Sequence, residues 1–332
     1  MKNFFGWVFL SGVLLTSCTK STDTSSAESG NWLKRSDFEG VTRAEAVSFV
    51  VNGKAFIGTG YNGIKQLKDF WQYDDTLNQW TQKADFGGVA RSSAVAFAID
   101  DMGYVGTGYN GLNSLKDFWE YNSITNNWTQ KNDFAGTARY NAVAFSINSS
   151  GYISTGFDGN YLKDLWQYSP STDSWTQQVS MGGSKRSEAV AFVYNSKAYI
   201  TTGSNNGTVL DDLWEYDPAL AVWTEKRKIA NVSEDSYDDD YSIVRSNAAA
   251  FVSGDKAYIT TGQNSAYLAT TWVYDFATDI WTAKSDFEGT ARDGALGFSI
   301  NNKGFIVTGK SSTSYFDDIF EFKPNETLNT YD

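Results

Sequence analysis

The stretch RSSAVAFAIDDMGYVGTGYNGLNSLKDFWEYNSITNNWTQKNDF, residues 91–134, holds most of one structural unit of this chain. Four short runs follow one another in it: AVAFAI (94–99), GYVGTG (103–108), DFWEY (117–121) and NWTQKNDF (127–134). Each run has a length typical of a strand and is too short for a helix. Polar segments such as SITNN (123–127) indicate hairpin turns between them. The stretch therefore predicts a sheet of four antiparallel strands.

The same unit recurs along the chain, as its aromatic and arginine positions show. Trp occurs at 32, 80, 128, 175, 223 and 281, a second aromatic series at Trp71, Trp119, Trp166, Trp214, Trp272 and Phe320, and Arg at 43, 91, 139, 186, 245 and 292. A Thr-Gly pair closes the second strand of every unit. The Trp spacing is 47 or 48 residues, except for one step of 58 that carries an 11-residue insertion within 226–244. A four-stranded unit repeated at this interval is typical of a β-propeller blade.

The two ends of the chain predict the number of blades. Residues 31–38 form a lone fourth strand, and residues 316–322 form a third strand that no Trp follows. The two pieces complete each other, so we expect six blades, the sixth closed by the N-terminal strand, with no open sheet edge. We also expect the Ala-rich first strands to lie nearest the axis and the Trp side chains to be buried.

These motifs resemble the kelch repeat of galactose-oxidase-type propellers. The resemblance is carried by the Arg before the first strand, the glycine that ends the second, the aromatic-x-Tyr of the third and the Trp that opens the fourth. It covers roughly residues 32–324 and implies an all-β, six-bladed propeller of four-stranded antiparallel blades. Kelch repeats usually have Gly-Gly where this chain has Thr-Gly, which indicates a subfamily variant. The resemblance does not imply one activity, because propellers carry many unrelated functions.

Composition excludes several classes of function. The chain has 332 residues, with 27 basic against 39 acidic side chains and a net charge of −12, so we expect no nucleic-acid partner. It has no His and one Cys, which excludes His-based catalysis, His-ligated metals and intramolecular disulfides. The copper site of galactose oxidase needs His and a Cys–Tyr cross-link, so that chemistry is excluded too. We expect no cofactor.

The N-terminus predicts export and lipid anchoring. A short basic start precedes an apolar run over residues 4–15, too short to span a bilayer and typical of a signal peptide. The following Leu15-Thr16-Ser17-Cys18 resembles a bacterial lipobox, which implies lipidation of Cys18 at the cell envelope, most simply the outer membrane. We therefore divide the chain into a lipoprotein signal peptide (1–17), a Ser/Thr-rich tether (18–31), the propeller (32–324) and a C-terminal tail (325–332).

Strand direction places the Arg and Thr-Gly loops on one face, around the channel mouth, and kelch propellers commonly bind ligands there. The residues after these motifs are our ligand-binding prediction: Tyr61, Asn62, Tyr109, Asn110, Tyr140, Phe157, Gln263, Asp293 and Lys310. Aromatic rings with amides and hydroxyls suit a glycan or an extended peptide or protein segment. The alternative for Tyr-Asn-Gly at 61–63 and 109–111 is a simple turn.

Three further interpretations remain open on the sequence alone. The recurring Arg side chains either pair structurally with carbonyls and carboxylates or contact an anionic ligand, and the Asp residues before each third strand are expected to cap turns. As an alternative to a binding protein, the chain could be a carbohydrate-active enzyme, namely a sialic-acid mutarotase, epimerase or hydrolase. Such an enzyme would use Glu45, Glu188, Arg43, Arg91 and Arg139. A third alternative is a structural subunit of an envelope assembly. In the acidic insertion, Asp235, Asp238, Asp239 and Asp240 are a weak candidate Ca²⁺ site.

Overall fold

The computed structural model describes residues 1–2 and 29–331, and every regular element in those residues is a strand. In chain order the strands are β1 (Asn31–Lys34), β2 (Val47–Val51), β3 (Lys54–Gly58), β4 (Phe70–Asp74), β5 (Gln79–Lys83), β6 (Val95–Ile99), β7 (Met102–Gly106), β8 (Phe118–Asn122), β9 (Asn127–Lys131), β10 (Val143–Ile147), β11 (Ser150–Ser154), β12 (Leu165–Ser169), β13 (Ser174–Gln178), β14 (Val190–Tyr194), β15 (Lys197–Thr201), β16 (Ser204–Asn205), β17 (Thr208–Val209), β18 (Leu213–Asp217), β19 (Val222–Glu225), β20 (Ala249–Ser253), β21 (Lys256–Thr260), β22 (Thr271–Asp275), β23 (Ile280–Lys284), β24 (Leu296–Ile300), β25 (Lys303–Val307), β26 (Lys310–Ser311), β27 (Ser314–Tyr315) and β28 (Ile319–Lys323). Cys18 and nearly all of the predicted signal peptide and tether lie outside the described residues. The described part of the chain contains no helix that could span a membrane.

Six four-stranded antiparallel sheets form the blades of a propeller. Blade 1 is β2-β3-β4-β5, blade 2 β6-β7-β8-β9, blade 3 β10-β11-β12-β13, blade 4 β14-β15-β18-β19, blade 5 β20-β21-β22-β23 and blade 6 β24-β25-β28-β1. The N-terminal strand β1 supplies the outer strand of blade 6, with Trp32 opposite Phe322. The predicted fold class, blade number and closure are therefore confirmed. Two small hairpins, β16-β17 and β26-β27, are added in blades 4 and 6.

The first strand of every blade lies at the centre of the ring, as expected. Each of these six strands contacts the first strands of both neighbouring blades, and the contact between β2 and β24 closes the circle. Small side chains are required here because the strands approach so closely. A Cβ atom on Gly297 would come within 2.3 Å of the Ala250 carbonyl oxygen.

Aromatic rings fill the space between blades. Trp32 is fully buried and packs at 4.6 Å from Phe322 and 5.1 Å from Phe287, measured between ring centroids. The expectation that every Trp is buried is wrong in both aromatic series. In the first series Trp128, Trp175 and Trp223 are half-buried. In the second series Trp272 and Phe320 are buried, whereas Trp71, Trp119, Trp166 and Trp214 are half-buried. These four lie against the connections between blades and donate their indole N–H to an Asp.

The insertion is a compact loop between blades 4 and 5. A bridge between Ala230 and Ser242 closes it, which places it inside the predicted range. Tyr241 is buried, contacts Trp272 at 5.8 Å between ring centroids, and accepts a hydrogen bond from the Trp281 amide. The insertion therefore extends the hydrophobic core of blade 5.

Candidate functional site

The six recurring arginines form a buried layer beneath the channel mouth. All six side chains have 0% exposure, and in each case Nη1 donates to the carbonyl oxygen of the Thr in the Thr-Gly pair of the same blade. Five are paired with a carboxylate: Arg43 with Asp69, Arg91 with Asp117, Arg139 with Asp164, Arg186 with Asp212 and Arg292 with Asp318. The structural interpretation of these arginines is thus confirmed. Arg43, Arg91 and Arg139 have no surface left for an anionic ligand.

The recurring Asp residues have a different role from the turn capping that we expected. Asp117 pairs with Arg91 at 2.6 Å and also accepts a hydrogen bond from the Trp119 indole at 2.8 Å. Burial opposes ionisation of this carboxyl group, but the Arg91 guanidinium and the Trp119 indole together lower the pKa of Asp117. Asp117 therefore links the buried Arg91 to the Trp119 ring, and Asp69, Asp164 and Asp212 make the same two contacts in their blades. Asp318 pairs with Arg292, and Phe320 stands at the position of the Trp.

The Thr of each Thr-Gly pair occupies a backbone conformation that explains the usual kelch Gly-Gly. All six threonines have a φ angle between 58° and 64°, a left-handed region that costs a β-branched residue about 1–2 kcal/mol. The following glycine donates its N–H to the backbone carbonyl oxygen of the Arg in the next blade, as in the bond of 2.7 Å from Gly108 to Arg139. The Thr conformation thus points its carbonyl toward the buried Arg of the same blade, and the glycine hydrogen bond links neighbouring blades.

Above the arginines, the residues after the two motifs pair with each other. The six bridges join Ala44 to Tyr61, Ser92 to Tyr109, Tyr140 to Phe157, Ser187 to Ser204, Ser246 to Gln263 and Asp293 to Lys310. Cross-strand partners project to the same side of a sheet, so each pair presents its two side chains together. Seven of the nine predicted ligand-binding positions, all except Asn62 and Asn110, are therefore brought together in one ring around the mouth.

A collar of backbone hydrogen bonds surrounds the channel next to this ring. Its members lie two residues after each Arg: Glu45, Ser93, Asn141, Glu188, Asn247 and Gly294. Each N–H donates to the carbonyl of the collar residue in the preceding blade, at 2.9–3.0 Å, so that six peptide groups form a closed head-to-tail cycle. All six have positive φ angles, from 52° to 61°. The collar lines a central cavity of about 180 Å³.

Acidic groups dominate the charge at the mouth. Lys310 lies 3.3 Å from Glu45, which also accepts a hydrogen bond from the Ser93 hydroxyl. Burial raises the pKa of Glu188, and the charge of Glu45 adds to the rise. Burial and the same Glu45 charge raise the pKa of Asp293 to about 6. Burial alone would lower the pKa of Lys310, but the Glu45 and Asp293 carboxylates raise it.

An arc of aromatic rings follows one side of the mouth. The Tyr109 and Tyr140 centroids are 5.4 Å apart, those of Tyr140 and Phe157 are 5.7 Å apart, and Phe157 continues to Tyr161 at 5.1 Å. Tyr61, in blade 1, pairs instead with Tyr315 of the β26-β27 hairpin at 6.0 Å. All of these rings are half-buried, so each keeps a face or an edge toward solvent.

A groove lies between Tyr61 and Tyr109, where blades 1 and 2 meet. It has a volume of about 450 Å³ and is lined by Glu45, Tyr61, Ile64, Gln66, Ser92, Tyr109 and Gly111. Glu45, which also lines the central cavity, is its inner end, and Ile64, 86% exposed, is at its rim. The groove thus leads from an apolar rim between two tyrosines to a carboxylate.

The apolar rim of this groove was not among the site residues predicted from the sequence. Ile64 and Leu112 follow the two Tyr-Asn-Gly segments and are 86% and 84% exposed. The visible signal was an aliphatic side chain at the same place in two otherwise polar loops. By contrast, the side-chain oxygens of Asn62 and Asn110 are used locally, since each accepts hydrogen bonds from the two amides that follow Gly63 or Gly111. For these two positions the turn interpretation is the one that the structure supports.

The insertion does not present the weak calcium site that we considered. Asp238 is buried, and its carboxylate accepts hydrogen bonds from the Val232 and Ser233 amides and from the Ser233 hydroxyl. Asp235, Asp239 and Asp240 are exposed. Nowhere in residues 29–331 do three or more acidic side chains cluster in a way that could hold a metal ion. Asp238 instead organises the loop backbone.

Comparison with known proteins identifies the fold and the family. The solved structure named "Structure of YjhT" matches with a TM-score of 0.70 and 17% identity, covering 86% of this chain and 96% of that chain, which shows a shared fold. No curated protein matches the sequence. A family model described as the KLHDC2/KLHL20/DRC7 Kelch-repeats domain matches residues 135–309, more than half of the chain. Repeat motifs, ring geometry and this match together show that the protein belongs to the kelch-repeat family.

Proposed function

We propose that this kelch propeller is a binding protein whose channel-mouth face holds an extended segment of a partner protein. The observation that carries the proposal is the groove between Tyr61 and Tyr109. It is open at an apolar rim and reaches a carboxylate at its inner end. A bound side chain would therefore bury apolar surface at the rim and be oriented by a polar contact with the carboxylate. Aromatic residues of this kind are enriched at protein interfaces.

The aliphatic rim favours a peptide over a glycan. Ile64 lines the groove and Leu112 stands at the equivalent position in the loop of blade 2, and exposed aliphatic side chains of this kind gain from covering another apolar side chain. Sugar recognition uses the flat tyrosine faces, which are present, and free amide oxygens, which Asn62 and Asn110 do not offer. A glycan is therefore the second candidate ligand for the same face.

The test is a peptide and glycan array probed with the full-length protein. Selected ligands are then titrated against Ile64→Ser and Tyr109→Ala, and we expect each variant to weaken binding about tenfold or more. Leu77→Ser is the matched control because Leu77 is also exposed, at 64%, but lies in the β4-β5 turn at the opposite end of blade 1. Binding that survives both mouth variants, or that falls equally with the control, would remove the site from this groove.

We further propose that the protein is anchored to a bacterial envelope membrane through a lipid on Cys18. The support is the lipobox-like sequence and the position of the first described residues. The Gly30 amide donates to Glu326, and Asn31 pairs with Lys323, at the end of blade 6 away from the mouth. A chain held there leaves the groove facing outward. Cys18→Ala should move the protein from the membrane fraction to the soluble fraction, and an unchanged distribution would refute the anchor.

A carbohydrate-active enzyme remains a second function, favoured by one observation. Glu45 and Glu188 both line the cavity of about 180 Å³ at the channel. Burial raises the pKa of Glu188, as a general acid requires. The arginines of this interpretation are buried in ion pairs, which leaves Lys310 as the cation in contact with Glu45. Sialic-acid anomer exchange followed by NMR, with Glu188→Gln as the comparison, tests it: no acceleration over buffer excludes that activity.

A further inference from the structure

We propose that the groove between blades 1 and 2 takes a lysine side chain of the bound segment, with the aliphatic stem between Tyr61 and Tyr109 and the ammonium group at Glu45. This inference rests on the proposed binding function and names the chemistry that the site selects. Lysine fits because the groove changes from apolar to anionic along its depth. An aliphatic chain with a charged end can bury its stem against apolar surface while its head reaches a polar partner.

The charges around the inner end favour a cation. Three carboxylates, on Glu45, Glu188 and Asp293, act on one another there, and Lys310 is the basic group in direct contact with Glu45. The arginines nearby do not alter this balance, because Arg43 and Arg292 are each neutralised by their own Asp below the ring. The mouth therefore keeps negative charge that Lys310 alone does not balance. A ligand ammonium group would reduce this repulsion, whereas a ligand carboxylate would add to it.

A second observation points to a missing cationic or donor partner. Asp293 is 2% exposed, and its Oδ1 atom has no hydrogen-bond partner among the residues that the structure describes. Its bridge partner is Lys310, whose ammonium group bonds to Glu45 instead. A buried carboxylate oxygen without a partner is costly. If a ligand ammonium group took the place of Lys310 at Glu45, Lys310 would be free to complete Asp293, so that both acids would be satisfied together.

The site is built for an organic cation rather than a metal ion. Within the described residues no three acidic side chains converge closely enough to coordinate a metal. One Glu45 oxygen accepts from Lys310 and the other from Ser93, so the carboxylate is held in place as a hydrogen-bond acceptor. Such an arrangement suits the three N–H donors of an ammonium group.

The experiment compares small probes that differ in the charged group. Nα-acetyl-lysine methylamide, its Nε-acetyl form and the norleucine analogue are titrated against the full-length protein by saturation-transfer NMR, with glucosamine and N-acetylglucosamine as the sugar arm. We expect the lysine probe to bind at least about tenfold more tightly than the norleucine and Nε-acetyl probes. Glu45→Gln should remove most of that preference. Glu234→Gln, which removes the same charge from the exposed insertion, should retain it.

Each other outcome contradicts the inference. Equal binding of the lysine and norleucine probes, or no binding of any probe up to the solubility limit, would overturn it. An equal loss in Glu45→Gln and Glu234→Gln would show a general charge effect, and tighter binding of glucosamine would assign the site to an amino sugar. None of these results depends on the array. If the array ligands still bind through Ile64 and Tyr109 while the lysine preference is absent, the binding function stands and the lysine inference fails.

Discussion

Arg245 differs from the other five buried arginines because Thr270 stands where they have an Asp. Its guanidinium donates to the Thr270 carbonyl at 3.0 Å and to the Thr270 hydroxyl at 2.8 Å, so its hydrogen bonds are made but its charge is not compensated. Burial consequently lowers the pKa of Arg245 to about 10. Thr270 also lacks the carboxylate that would accept from Trp272, whose buried indole N–H has no partner within residues 29–331. Thr270 therefore leaves Arg245 without a paired carboxylate and the Trp272 indole without its acceptor.

Thr270→Asp should stabilise the propeller by restoring both interactions. In blade 2 one Asp pairs with the Arg and accepts from the Trp, and blade 5 retains Arg245 and Trp272 in the equivalent positions. Charge-assisted hydrogen bonds are the stronger class, so we expect a gain of about 1–2 kcal/mol in the free energy of unfolding. Urea denaturation measures it, with Thr270→Asn as the uncharged control. A loss of stability in the Asp variant, with the control unchanged, would contradict the pairing.

Asp293 should make stability depend on pH in the acidic range. Its pKa is about 6 in the fold, above the ordinary value of 3.8, so the folded state binds the proton more tightly than the unfolded chain. The resulting stabilisation is complete below about pH 4 and is lost as the pH rises through about 6. Asp293→Asn keeps the shape without the charge. We expect the variant to be more stable than the parent at pH 7.5, by roughly 1–3 kcal/mol, and to be similar to it at pH 4.

Thermal denaturation at several pH values between 4 and 7.5 measures this difference. Asp235→Asn is the matched control because Asp235 is an exposed carboxyl group in the insertion. The two variants should have parallel stability curves only if Asp293 titrates like a solvated carboxyl group, and that result would refute the effect of burial.

At the scale of the strand, β1 determines whether the ring is closed. The four residues of β1 pair with β28, the Arg35 amide adds one more hydrogen bond to the Ile319 carbonyl, and Trp32 is the large side chain of β1 that is fully buried. It contacts Phe322 on the partner strand and Phe287 on the connection from blade 5 to blade 6. The strand therefore depends on one ring inserted into an aromatic pocket more than on the length of its ladder.

Trp32→Ala should cost about 3–5 kcal/mol in the free energy of unfolding, the usual loss for a large buried aromatic. Trp119→Ala should cost less, about 1–2 kcal/mol, because Trp119 is half-buried and its removal mainly takes a donor from Asp117. Chemical denaturation of both variants in parallel gives the comparison. Equal losses would mean that closure by β1 adds nothing to the packing found in every blade.

How far the sequence predicts these elements depends on the kind of interaction. The strands follow from the period of about 48 residues, because a repeated unit must repeat its hydrogen-bonded partners. The half-burial of Trp119 cannot be predicted from the repeat, because the buried Trp272 has the same repeat position. Trp272 differs in that Tyr241 of the insertion contacts its ring. The inward carboxylate of Asp238 is equally invisible in an acidic run. The sequence repeat therefore predicts the residues that form the scaffold of every blade. It does not predict differences between blades that come from contacts with loops distant in sequence.

At the scale of the molecule, the two faces of the ring differ in structure. The mouth face carries the bridges, the collar and the groove, while the opposite face carries the turns between the paired strands and the first described residues. The residues at the mouth could be predicted from strand direction. The Arg loop precedes the first strand of a blade and the Thr-Gly loop follows the antiparallel second strand, so both loops lie on the same face. The collar could not be predicted, because it is a backbone cycle whose six members differ in side chain from Glu to Gly.

Anchoring at Cys18 would make the two faces unequal in access, which the protein's cysteine content allows to be tested. The chain has one Cys, so a lipidated protein has no other thiol, and a single introduced Cys reports on its own position. Leu112 and Leu77 are both well exposed, at 84% and 64%, on the mouth face and on the opposite face. When the protein is bound to vesicles, a bulky polyethylene-glycol maleimide should label Leu112→Cys several times faster than Leu77→Cys. In detergent the two rates should converge, because the membrane no longer shields the face from which β1 begins. Equal rates on vesicles would mean that the membrane shields neither face more than the other, which would contradict the proposed orientation of the mouth away from the bilayer.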